Sequence, residues 1–112
     1  KSDYDFKPIN DLILSRIKQG ITLNEVASTL GENPTTITKR LQRNFGLSYS
    51  DYLGRIKITQ AKTLLRQPKL TITEVAKRVG LNDSANFSKL FRKHEGITPS
   101  AFRKQFGSSA TK

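Results

Sequence analysis

The sequence predicts an all-α protein of seven helices, in which a short helix pair occurs twice, on either side of one long helix. Three observations carry that reading. Apolar residues recur at helical spacing, and no stretch sustains the period-two alternation of a strand. Threonine-x-x-glutamate starts and glycine stops punctuate the chain at helix-length intervals. Finally, the segment 70–76 (Leu-Thr-Ile-Thr-Glu-Val-Ala) repeats, with small changes, the segment 21–27 (Ile-Thr-Leu-Asn-Glu-Val-Ala). The echo runs on to Gly31 and Gly80, then resumes after a one-residue shift, with 43–48 answered by 93–98.

The first helix is expected over Ile9 to Lys18, with Ile9, Leu12, Ile13 and Ile17 on one face and Gly20 as the stop. Residues 1–8, polar apart from Tyr4 and Phe6, read as a loose linker remnant. Thr22-x-x-Glu25 is a capping box: the hydroxyl accepts from a first-turn amide and the carboxylate reaches back to the threonine N–H. It opens a helix lined by Leu23, Val26, Ala27 and Leu30 and ended by Gly31. Asn33–Pro34 caps and opens a third helix, since proline in the first turn forfeits no hydrogen bond. Its Ile37 and Leu41 face inward; Thr35, Thr36, Thr38, Lys39, Gln42 and Arg43 face out.

Ser48-x-x-Asp51 opens the longest segment, Tyr49 to about Arg66, stopped by Pro68. Tyr52, Leu53, Ile56, Leu64 and Leu65 supply its apolar contacts, and Ala61 permits close approach. The pattern then recurs. Thr71-x-x-Glu74 is a second capping box, followed by Ile72, Val75, Ala76 and Val79 inward and Gly80 as the stop. Asn82–Asp83–Ser84 offers caps for a helix with Phe87, Leu90 and Phe91 inward, ended by Gly96. Thr98–Pro99 opens a short last helix with Phe102 and Phe106, and residues 107–112 are expected to be a disordered tail. The domain boundaries that follow are 9–47, 48–67 for the linking helix, and 68–106.

Composition narrows the function. The net charge is +11 over 112 residues, which favours a polyanionic partner. Residues 1–46 carry seven basic and five acidic groups, and residues 47–112 carry thirteen and four, so the second half is the more basic. There is no cysteine and one histidine, which leaves no thiolate metal site and no compact histidine zinc site. No apolar run approaches the roughly 20 residues of a membrane span. The chain begins at Lys1 and lacks methionine, and reads as a piece of a longer cytoplasmic protein.

Each repeat is a capped helix, a glycine turn and a second helix with a polar, basic outer face: the sequence form of a helix-turn-helix. In that motif the second helix enters the major groove while the first crosses the backbone. Short threonine and serine side chains let a helix approach base edges closely.

The stretch from Gly80 through Asn86–Phe87–Ser88–Lys89–Leu90–Phe91–Arg92 to Gly96–Ile97–Thr98–Pro99–Ser100–Ala101–Phe102–Arg103 resembles the signature of the AraC/XylS family of bacterial transcription regulators. Ala61-x-x-Leu64–Leu65 and Ile72-x-x-Val75–Ala76 fit the same pattern, and the resemblance covers about residues 9–106. It implies two helix-turn-helix subdomains joined by the long helix, bound to adjacent major-groove segments of double-stranded promoter DNA. It also implies a monomeric output domain, whose full-length protein senses a ligand or dimerises through an N-terminal domain. Activators of this kind commonly touch RNA polymerase.

Carried over by position, the base-facing residues of the first recognition helix are Thr35, Thr36, Thr38 and Lys39, with Arg43 farther along. In the second they are Ser84, Ala85, Asn86, Ser88 and Lys89, with Arg92 and Lys93 at phosphates. Lys39 and Lys89 suit guanine O6/N7, and Asn86 suits adenine. The capping residues Thr22, Thr71 and Thr73 sit where helix N-termini receive phosphate oxygens. The chain departs from the family pattern at Arg40, usually apolar, at Gln42, often basic, and at Lys57, commonly arginine.

Two other classes compete. A structural or RNA-binding basic module would use the same charge, but no exposed aromatic platform or glycine clamp points that way. An enzyme needs a nucleophile, base or phosphate-cradling loop, and no such constellation is present, so neither catalysis nor a cofactor is expected. The basic residues Arg55, Lys57, Lys62 and Arg66 of the long helix read as a solvated or phosphate-facing surface.

Overall fold

A computed structural model describes residues 5–107 of the chain. It contains seven α-helices and a terminal π-helical turn: α1 (Lys7–Ser15), α2 (Leu23–Leu30), α3 (Pro34–Phe45), α4 (Tyr49–Leu65), α5 (Ile72–Arg78), α6 (Ser84–Glu95) and α7 (Pro99–Phe102), then Arg103–Gly107. Among the described residues there is no strand.

Most helix ends follow from local chemistry. Thr22 and Thr71 each complete a capping box, and Asn33, Asp83 and Thr98 cap α3, α6 and α7. Gly31, Gly46 and Gly96 close α2, α3 and α6 in the left-handed region, where a Cβ would be strained.

The first helix differs from expectation at both ends. It begins at Lys7 rather than Ile9 and stops at Ser15 rather than Lys18. Pro8 suits the first turn, the Asp5 carboxylate accepts the Lys7 N–H at 2.9 Å, and Lys7 pairs with Asp11 one turn on at 2.7 Å. At the other end Arg16 leaves helical geometry, and a turn carries the chain to Gly20. Ile17 therefore sits half-buried in a turn, not on a helix face. The lead-in is not wholly loose either, because Phe6 packs edge-on against Phe45, with ring centroids 5.0 Å apart. Gly107, assigned to the tail, closes the π-helical turn; residues 108–112 and the Phe106 side chain lie outside what is described.

The chain divides into two compact units within α4, after Ile56. In the first, Ile9, Ile13, Ile21, Val26, Ala27, Ile37, Leu41 and Tyr52 form the core. The N-terminal half of α4 is fastened there by two phenols: Tyr49 donates to the Ile21 carbonyl at 2.7 Å, and Tyr52 donates to Asn10 Oδ1. The Tyr52 ring also stacks on Phe45, at 5.4 Å between centroids.

The second unit buries Ile58, Ala61 and Leu65 of α4 together with Val75, Ala76, Val79, Phe87, Phe91 and Phe102. Phe91 lies 5.8 Å from Phe87 and 5.5 Å from Phe102, centroid to centroid. Ile58, unremarked in the sequence, is buried at the start of this half of α4. The Arg103 guanidinium donates to the carbonyls of Leu65 at 3.0 Å and Gln67 at 3.1 Å, satisfying oxygens that the end of α4 leaves without helical partners.

Candidate nucleic-acid interface

The helix pairs α2–α3 and α5–α6 are built alike. After α2, Gly31 takes φ +69° and the next amide, Glu32, donates back to the Ala27 carbonyl at 2.8 Å. After α5, Gly80 takes φ +85° and Leu81 donates to the Ala76 carbonyl at 2.8 Å. Both are left-handed closures that turn the chain sharply. The second connection holds one extra residue, which accounts for the one-residue shift between the copies. The cap then fixes where the next helix starts. Asn33 Oδ1 accepts the Thr35 N–H at 2.8 Å, and Asp83 Oδ1 accepts the Ala85 N–H at 2.9 Å.

From there α3 and α6 run twelve residues each, in register, every residue of α3 answering to the one fifty positions later. Ile37 and Leu41 are fully buried in α3, and Phe87 and Phe91 in α6. The opposite face is exposed: Thr35, Lys39, Gln42 and Arg43 on α3, and Ala85, Asn86, Lys89, Arg92 and Lys93 on α6. Thr36, Thr38, Ser84 and Ser88 are half-buried at the flanks rather than fully outward. The stripe of α3 therefore reads Thr35, Lys39, Gln42 at four- and three-residue spacing, and that of α6 reads Ala85, Lys89, Arg92. Gln42 faces the same way as Thr35 and Lys39, although the family resemblance does not place it among the base-facing residues. Its counterpart in α6 is Arg92, and the register of the repeat is the signal that links the two.

At the starts of α2 and α5 the threonines do double duty. Glu25 N–H donates to Thr22 Oγ1 at 3.1 Å while Thr22 N–H donates to Glu25 Oε1 at 2.8 Å. The second box is the same, at 3.0 Å and 2.8 Å between Thr71 and Glu74. The Thr71 amide, with its hydroxyl and nearby cations adding to it, holds the Glu74 carboxyl below the usual carboxylate range. Each box consumes two N–H groups of its helix start and sets a carboxylate there. What remains for a phosphate at each start is the pair of N–H groups between threonine and glutamate, together with the threonine O–H, which can donate while its oxygen accepts. Thr73 is not a cap: it is the second residue of α5, exposed to solvent.

The long helix is less uniformly solvated than its charges suggested. Lys62 pairs with Glu95 of α6 at 3.3 Å. Burial pushes the Lys57 amine below its ordinary value. Arg55 and Arg66 are exposed. Among the described residues no cluster of histidine and acidic side chains could hold a metal ion, and no helix is long and apolar enough to cross a membrane.

A helix-turn-helix domain family matches residues 26–105 of the chain. YijO, an uncharacterized HTH-type transcriptional regulator of Escherichia coli (strain K12), is 33% identical over 106 residues, 95% of this chain and 38% of its own length. The HTH-type transcriptional activator RhaR of Cronobacter sakazakii is 37% identical over 81 residues, 72% of this chain and 28% of its own. The chain thus spans well under half of either relative. Among solved structures, a DNA-binding transcriptional dual regulator from Escherichia coli K-12 superposes with a TM-score of 0.82 at 25% identity, over 100% of this chain and 99% of that one. A regulator from Chromobacterium violaceum, described by its AraC-type DNA-binding domain, gives 0.82 at 22% identity over 88% of each chain. The DNA-binding domain of AdpA, in complex with a target DNA, shares the fold with a TM-score of 0.77 at 20% identity, over 91% of this chain and 92% of that one. The signature, the paired helix-turn-helix units and these likenesses agree, and the chain belongs to the AraC/XylS family as a DNA-binding domain of its transcription regulators.

Proposed function

We propose that the domain recognises a specific double-stranded sequence by seating α3 and α6 in adjacent major-groove segments, as the cytoplasmic, non-enzymatic output module of a bacterial activator. The observation that carries this reading is the matched register of the two helices. Each sets exposed polar and cationic side chains on a face opposite two fully buried apolar anchors. A helix so anchored can enter a groove without exposing its core. Thr35, Thr36, Thr38, Lys39 and Arg43 face base edges in one half-site, and Ser84, Ala85, Asn86, Ser88 and Lys89 in the other. Lys39 and Lys89 meet guanine, and Asn86 pairs with adenine. Arg92, Lys93 and the hydroxyls of Thr22, Thr71 and Thr73 hold phosphates. The domain binds as a monomer, with contact to RNA polymerase and any dimerisation belonging to the longer regulator.

Selection of bound duplexes from a random pool, followed by footprinting, tests this. The footprint should cover about two helical turns, since successive major grooves lie about 34 Å apart. Lys39→Ala and Lys89→Ala should each change preference at particular base pairs, whereas Lys93→Ala should weaken all sequences alike and flatten the salt dependence. A one-turn footprint removes the second contact, and preference for structured RNA over duplex removes the reading altogether.

A further inference from the structure

Gln42 is exposed, and among the described residues its side-chain amide has no partner. It stands one turn beyond Lys39 and two beyond Thr35 on the outward face of α3. At about 1.5 Å per residue, Thr35 to Gln42 spans about 10 Å of helix, the rise of about three base pairs. The corresponding position of α6 is Arg92, also exposed, a cation suited to neutralising a phosphate. A glutamine cannot do that. Its amide carries a donor and an acceptor side by side, whereas a phosphate offers acceptors only, so half of the amide would go unused there. The major-groove edge of adenine, with N6 donating and N7 accepting, matches both halves at once.

We infer that Gln42 is a specificity-determining residue, reading an adenine in the half-site of α3 where its counterpart Arg92 grips the backbone in that of α6. The inference rests on α3 entering the major groove as proposed above. It makes the first recognition helix the more discriminating one, because its stripe gives up a phosphate anchor for a base contact.

The test is selection from a random duplex pool with the full chain and the variants Gln42→Ala, Gln42→Glu and Lys39→Ala, with the salt dependence of affinity measured for each. Gln42→Ala is expected to lose at least about fivefold of discrimination at one A·T pair, with an unchanged salt slope. Gln42→Glu is expected to move the preference at that pair towards cytosine, whose N4 amine donates to a carboxylate. That gain of a new preference cannot come from a misfolded variant. If Gln42→Ala weakens every duplex equally, or if Gln42→Glu changes preference at no position, the assignment is overturned while Lys39→Ala still alters another pair. Should Lys39→Ala also leave every position unchanged, α3 is not a reading helix, and the underlying proposal fails instead.

Discussion

Helices α3 and α6 share a length, a burial pattern and a left-handed glycine end, yet they are fastened by different chemistry. The last residue of α3, Phe45, stacks on Tyr52 of α4 and meets Phe6 edge-on. The last residue of α6, Glu95, forms an ion pair with Lys62 of α4. The anchors beneath them differ too, aliphatic under α3 (Ile37, Leu41) and aromatic under α6 (Phe87, Phe91). The backbone frame of a recognition helix is therefore set by caps, turn geometry and the spacing of buried positions. What fills those positions is open to substitution, provided volume and polarity are accommodated. Two copies can drift apart inside while presenting comparable faces outside.

The largest effect should come from breaking the aromatic anchor. Phe91 is fully buried and touches the rings of both Phe87 and Phe102. Phe91→Ala should cost about 3–5 kcal/mol through lost burial and a cavity between two rings that cannot easily collapse. Leu41→Ala, at the matching position, removes a smaller side chain and should cost about 2–5 kcal/mol. Hydrogen exchange on the two variants checks the comparison: protection should fall most in α5–α7 for Phe91→Ala and most in α1–α3 for Leu41→Ala. An equal loss everywhere in both would show that the copies do not carry separate cores.

Where the copies are alike, substitutions should give like results. The two capping boxes agree to within 0.1 Å in both of their hydrogen bonds. Thr22→Ala and Thr71→Ala should each cost about 1 kcal/mol, read from denaturant midpoints at constant slope. A cost in one copy more than twice that in the other would break the equivalence of the frames.

These boxes are also what the sequence displayed most clearly. A cap needs only a hydroxyl, amide or carboxylate oxygen and, in its boxed form, a glutamate three residues on, so Thr22, Asn33 and Thr71 could be found without knowing the fold, and the cap of α6 narrowed to residues 82–84. The start of α1 escaped because its N-cap is Phe6, which makes no side-chain cap bond. Its end escaped because Gly20 closes a turn rather than the helix. The pair Lys62–Glu95 and the Arg103 bonds to Leu65 and Gln67 join residues more than thirty positions apart, and only the packed fold brings them together. For the site, helical spacing separated the inner from the outer face of α3 and α6. It could not show how far neighbours rise around Thr38 or Ser88, nor that Thr73 lies inside α5 instead of capping it.

A pH titration separates the copies by a phenol that only one of them has, since the position matching Tyr49 is Pro99. Burial, with the Glu25 carboxylate adding to it, pushes the Tyr49 hydroxyl up to about 12 from its ordinary 10.0. Between those values the folded chain keeps a proton that the unfolded chain has released. The contribution is therefore fully present below pH 10 and is lost as pH rises towards about 12. Lys57 works in the opposite sense, because burial lowers its value and stability rises with pH up to 10.5, where the unfolded amine titrates. The difference between the wild-type chain and Tyr49→Phe isolates the phenol. That difference should diminish across pH 10 to 12, and a constant difference would mean that the Tyr49 proton is not retained in the fold.

The smallest effect should be at the two helix ends, and its salt dependence tells more than its size. The Lys62 and Glu95 side chains are 36% and 25% exposed, so water and ions reach the pair. A double-mutant cycle with Lys62→Ala and Glu95→Ala should give a coupling of about 0.2–1 kcal/mol. It should shrink at 1 M salt, where the screening length falls to about 3 Å. Phe45→Ala removes an aromatic contact from the other copy, and its cost should persist at the same salt, since ring packing has no net charge to screen. These measurements belong on the DNA-free domain, because salt also weakens phosphate contacts in a complex. If the Phe45 cost vanished with salt, or the Lys62–Glu95 coupling did not, the two anchors would not differ in kind, and the ends of α3 and α6 would be held by one mechanism after all.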